Sequence, residues 1–173
     1  MRFASLLAIW GFAAGCAHPV PVKPPVDSGA AWDAAQVLRG AASLSYVFAG
    51  QFPEACVPLR IVSALAQAGA DAAASASADV LILPAVEVDL TPCGAPVVQP
   101  DEVETIAAIL DVLDYSARFG LDFARKQPGT DCAAIAWADA GLGWAVDAAK
   151  DGITYGGAAF HVEERTVWLE GCL

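Results

Sequence analysis

Histidine is nearly absent from this sequence, occurring twice in 173 residues, at His18 and His161. An active site or metal site built on imidazoles therefore has almost no material. None of the five cysteines (16, 56, 93, 132 and 172) stands in a Cys-x-x-Cys pair, so zinc-ribbon and thioredoxin-type chemistry find no support. Cations are also scarce. Nine Lys and Arg face 20 Asp and Glu, for a formal net charge of −11, and Arg118, Arg125 and Lys126 lie among Asp111, Asp114 and Asp122. Phosphate recognition needs a basic face, which excludes a nucleic-acid partner and leaves a solvated acidic surface. The sequence contains no serine nucleophile elbow, phosphate-cradling glycine loop, helical zinc motif or calcium loop.

What is abundant is apolar: 57% of residues are hydrophobic and 17% charged, ample for a folded core in one domain of ordinary size. Much of that excess is alanine, and no run approaches the roughly 20 apolar residues of a membrane span. The N-terminus alone has membrane character. Met1-Arg2 carries one positive charge, and Phe3 to Gly15 is uncharged and apolar but too short to cross a bilayer, as in a signal peptide.

This stretch ends in Ala13-Ala14-Gly15-Cys16, which resembles the lipobox of bacterial lipoproteins, a resemblance confined to residues 1–17. It implies that Cys16 is the lipid-attachment residue and the mature N-terminus, and that the chain is anchored in a bacterial envelope membrane. Ala17, where aspartate favours inner-membrane retention in that family, implies the outer membrane, with the domain facing the periplasm or the exterior. Two other readings stay open: ordinary cleavage after Ala17, giving a soluble protein, and an uncleaved anchor with Gly11 and Gly15 as helix-pairing residues.

The expected organisation is therefore a signal peptide (1–15), a lipidated cysteine with a proline-rich tether (16–28), and a single acidic helical domain (29–173). His18 to Val26 holds four prolines, which keep a chain extended. Setting Cys16 aside leaves Cys56, Cys93, Cys132 and Cys172, an even number in an exported chain, and two disulfides are expected. Three pairings are open.

Within the domain, helices are expected over 29–48, 53–74, 101–126 and 132–151, from capping residues, proline and glycine breaks and three-to-four-residue apolar spacing. The third is the clearest. Val103, Ile106, Leu110, Leu113, Ala117, Leu121 and Ala124 form its core face, while Glu104, Asp111, Arg118 and Arg125 recur every seven residues on a wet one. Asp114/Arg118 and Asp122/Lys126 are expected ion pairs four residues apart. In the fourth helix Trp137 and Trp144 read as core. Val80–Leu83 and Val86–Leu90 read as strands or a short helix, 91–100 as a proline-rich loop, and the short pieces 153–155, 160–162 and 166–169 as a small C-terminal β-hairpin, with Cys172 pinning the tail to the helices. The fold class expected is mainly α: a compact bundle of about four helices.

No reaction is assigned. The carboxylate pairs Glu87/Asp89, Glu102/Glu104 and Glu163/Glu164 read as surface, and His161, between Phe160 and Val162, as packing. The leading expectation is a noncatalytic envelope lipoprotein, without a cofactor or a bound metal, that scaffolds, docks to or modulates an envelope protein partner. The alternatives are a carboxylate-based hydrolase acting on envelope material and a small-ligand carrier with an apolar pocket.

Overall fold

The structure, a computed structural model, describes residues 29–75, 80–94, 100–126 and 132–168. Four helices dominate it: α1 (Gly29–Ala49), α2 (Cys56–Ser75), α3 (Pro100–Arg125) and α4 (Cys132–Asp151). Four short strands accompany them: β1 (Val80–Leu83), β2 (Val86–Asp89), β3 (Ala159–Val162) and β4 (Arg165–Trp168). The mainly α, four-helix architecture is as expected from the sequence. The tether and Cys16 lie outside the described residues, as does Cys172, and the side chain of Cys132 is likewise not described, so the second expected disulfide falls outside them.

Alanine and glycine set how these helices meet. Helices α1, α2 and α4 pack against one another, and α3 lies along α4. At the centre Leu38 of α1, fully buried, fills the space that Gly69 of α2 and Gly141 of α4 leave open. A Cβ built on Gly141 would stand 2.9 and 3.0 Å from the two Leu38 methyls, whereas one on Gly69 would make ordinary contacts of 3.5 Å or more. The close approach at Gly141 thus depends on its missing side chain. Helix α4 is buried on most of its circumference, Trp137, Ala138, Leu142, Trp144, Ala145 and Ala149 among the residues enclosed, because it has α3 on one side and α1 and α2 on the other.

The turn from α1 to α2 is set by Phe48, whose carbonyl accepts from the amides of Gln51 and Phe52, and by Pro53, which opens a 3-10 turn at a position that needs no donor. Cys56, the first residue of α2, is bonded to Cys93 in a second 3-10 turn, Thr91–Cys93. The Cα atoms are 5.6 Å apart, and the bond closes a 37-residue separation. In the chain-entropy treatment such a loop is worth about 4 kcal/mol.

The strands carry a feature that the sequence reading did not contain. The C-terminal pieces 159–162 and 165–168 are strands of a small antiparallel sheet, yet they pair not with each other but with the segment 80–89: Val80 faces Trp168, Leu83 faces Arg165, Val86 faces Val162 and Asp89 faces Ala159. The same register runs through both pairs. They form one ribbon interrupted where Pro84-Ala85 lies opposite Glu163-Glu164, at a proline that cannot donate to the ladder. The buried face switches there from Leu81 and Leu83 to Val88 and Leu90, so the ribbon turns over as it crosses the break and packs on α2 along both halves. Residues 153–155, expected to be β-prone, form no strand: Ile153 and Thr154 lie in a turn, and the Tyr155 ring meets Phe160 edge-on at 5.1 Å.

Candidate docking surface

Helix α3 is 26 residues long, about 39 Å at the α-helical rise. Its core face is as the apolar spacing predicted: Ile106, Leu110 and Leu121 are buried, with Val103, Leu113, Ala117 and Ala124 partly buried around them. Because α3 packs chiefly on α4, most of its circumference faces outward. Ala108, Val112, Tyr115, Phe119 and Phe123 follow at steps of four, three, four and four, which places them on one stripe roughly opposite the core face at about 100° per residue. Val112 is 53% exposed, Tyr115 72%, Phe119 65% and Phe123 61%. Three aromatic side chains in a row thus stand in water, which single exposed apolar residues do not explain.

A charged edge separates this stripe from α4. Arg118 donates to Asp114 at 2.9 Å and lies 3.7 Å from Asp139 across the helix pair, while Lys150 of α4 pairs with Asp111. The hydrogen bond from Arg118 to Asp114, with Asp139, Asp114 and Asp147 nearby, holds its guanidinium still more firmly charged. Lys150 is likewise raised, first by its bond to Asp111 and then by the surrounding carboxylates. Asp122 turns to Arg125 at 3.5 Å, in place of the expected Lys126. The Arg118–Asp139 and Lys150–Asp111 bridges clip α3 to α4 along one side, away from the aromatic stripe.

The residues singled out for chemistry are dispersed. His161 is exposed on β3 directly across from Glu87, which corrects the reading of it as packing: Phe160 and Val162 turn inward, so the strand's period of two turns His161 out. Glu87 and Asp89 share the exposed face of β2, Glu163 and Glu164 sit exposed at the ribbon break, and Glu104 is exposed in the first turns of α3. Asp89 accepts hydrogen bonds from the Thr91 hydroxyl and backbone amide, which holds its carboxyl below the ordinary range. A general acid needs the opposite shift. Among the described residues no cluster of three His, Cys, Asp or Glu could hold a metal ion.

A shallow open groove of about 560 Å³ lies between α1, α2 and β2, lined by Tyr46, Arg60, Gln67, Glu87 and Asp89. The Arg60 guanidinium stands over the Tyr46 ring, 5.0 Å from its centroid. Ala42, Ala64 and Val88 line the groove as well, and its wide mouth distinguishes it from the closed cavity of a carrier. Trp137 and Trp144, the candidates for a ligand cage, are core residues 5% exposed. Among the described residues no helix is long and apolar enough to cross a membrane.

Fold and surface together define a class: a helical domain clasped by an antiparallel ribbon and a disulfide, presenting an aromatic stripe on its outermost helix. No family model, curated protein or solved structure matches the chain.

Proposed function

We propose that this chain is a lipid-anchored envelope protein whose domain serves a noncatalytic docking role, binding a protein partner through the outer stripe of α3. The observation that carries the reading is the row Val112, Tyr115, Phe119 and Phe123, each more than half exposed on the side of α3 away from the core. Aromatic side chains kept in solvent lose nothing by being covered, and interface cores are enriched in them. The lipobox-type sequence at Cys16 and the tether to Ser28 support the anchoring half of the proposal, with the outer membrane as the expected site.

The two halves are tested separately. With radiolabelled palmitate, Cys16→Ala abolishes acyl incorporation and leaves the protein unprocessed or soluble; equal labelling of variant and parent refutes the anchor. For docking, Phe119→Glu removes co-purification of the partner while circular dichroism is unchanged, because Phe119 makes no part of the core. Unchanged co-purification refutes the assignment of the surface.

A further inference from the structure

The stripe on α3 also carries information about what covers it. Numbering its positions as a seven-residue repeat puts Val112 and Phe119 at one seam position and Ala108 and Tyr115 at the other, with Glu104, Asp111, Arg118 and Arg125 all at the position flanking the seam. That flank reads acid, acid, base, base. Reversed end to end it complements itself: Glu104 comes beside Arg125, and Asp111 beside Arg118. In parallel alignment these positions face Ile109, Ser116 and Phe123 of the other helix instead, and no opposite charges meet.

We infer that the partner is a second copy of this chain, docked antiparallel through α3 about a two-fold axis near residues 113 and 114. This rests on the docking role proposed above and names its occupant. In that register the seam layers set Ala108 against Phe119 and Val112 against Tyr115, each a small group facing a large one, and each layer occurs twice by symmetry. The Phe123 ring lies at the end of the seam, over the first turns of the other helix.

The charged edge is accessible for this, since Asp111, Arg118 and Arg125 have 66%, 51% and 54% of their side-chain surface exposed. Their intrachain pairs with Lys150, Asp114 and Asp122 remain beside them and share the charge. Exposed ion pairs contribute little affinity, so the charges select orientation and the aromatic groups supply the attraction. Side chains of this size and exposure offer on the order of 500 Å² per copy, or roughly 1,000 Å² in all, which is the low end for a specific interface. The association is therefore weak in solution and strengthened where both copies are held on one membrane.

Sedimentation equilibrium on the full chain in nonionic detergent gives a reversible, concentration-dependent dimer. Phe119→Glu raises its dissociation constant at least about tenfold, because a carboxylate then enters the seam. Orientation is read by oxidising an equal mixture of an Ala108→Cys chain and a Phe119→Cys chain. The antiparallel register joins the two introduced thiols, one from each variant; Ala108→Cys alone stays uncrosslinked there, because its two copies stand about 16 Å apart along the axis. Crosslinking of Ala108→Cys with itself, or a monomer at every concentration, overturns the inference. A photo-crosslinker at Tyr115 in cells separates this from the broader reading. A product of two copies supports the inference, and capture of a different protein alone overturns it while the docking role stands. No product at all overturns both.

Discussion

Replacing Gly141 by alanine tests the central packing of the domain, because two opposing effects of known size meet at that position. Alanine in a helix interior is favoured over glycine by about 0.5–1 kcal/mol. At Gly40 and Gly120 a new Cβ meets nothing within 4 Å, so Gly40→Ala and Gly120→Ala stabilise by about that amount. At Gly141 the same methyl is driven to within 2.9 Å of Leu38, which is fully buried and cannot swing away, and crowding of that kind costs about 1–3 kcal/mol. Gly141→Ala is thus neutral to about 2 kcal/mol destabilising, and Gly69→Ala, whose Cβ contacts are ordinary, sides with the stabilising pair. Leu38→Ala alone costs about 2–5 kcal/mol, and in its background Gly141→Ala becomes stabilising again. Urea unfolding followed by tryptophan fluorescence reads all six proteins, since Trp137 and Trp144 are buried in α4. The reasoning is refuted if Gly141→Ala stabilises as much as Gly40→Ala, or if the Leu38 and Gly141 changes are additive.

On protein recovered from the envelope, alkylation before reduction labels no cysteine, because Cys56 and Cys93 are bonded and Cys132 and Cys172 are expected to be; four labelled thiols contradict export. Cys56→Ala with Cys93→Ala destabilises by up to about 4 kcal/mol without abolishing folding, checked by the urea midpoint. The pH profile has two limbs. Asp89, lowered by its Thr91 bonds, contributes stability above pH 3.8 that is lost as pH falls through its depressed value, and Asp89→Asn flattens that acid limb. Lys150, raised by Asp111, contributes stability that is full below pH 10.5 and lost as pH rises past it, so Lys150→Met flattens the alkaline limb.

Where the sequence was legible, periodicity did the reading. The core face of α3 emerges from Ile106, Leu110 and Leu121 because charged residues bracket them, and α1, α2 and α4 from breaks at Gly50, Pro53 and Gly152. The ribbon was not legible in its pairing. Segments 80–89 and 159–168 are separated by about seventy residues, and nothing local distinguishes that partnership from a hairpin of 159–162 with 165–168. His161 was legible in principle, since inward Phe160 and Val162 require it to point out; its apolar neighbours were read as burial instead of alternation.

The outer stripe of α3 was hidden by a two-faced reading of a helix that has three. Once the charged residues at 104, 111, 118 and 125 are counted as the whole wet side, Val112, Tyr115, Phe119 and Phe123 have no face to belong to, though their spacing is as regular as the core's. Only the packing, with α3 held chiefly by α4, separates the buried stripe from the exposed one. The pairing of Cys56 with Cys93 was equally out of reach, because even parity leaves three pairings and proximity chooses among them.

The central claim is that the outer face of α3 is where this protein is bound. A photo-crosslinking residue placed in cells at Tyr115, at Phe123, and at the equally exposed Tyr46 on α1 compares that face with another in one experiment. The account predicts strong, saturable crosslinks from Tyr115 and Phe123, lost when Phe119→Glu is added, and little from Tyr46. Equal crosslinking from all three positions, or crosslinks at Tyr115 that persist with Phe119→Glu, contradicts it.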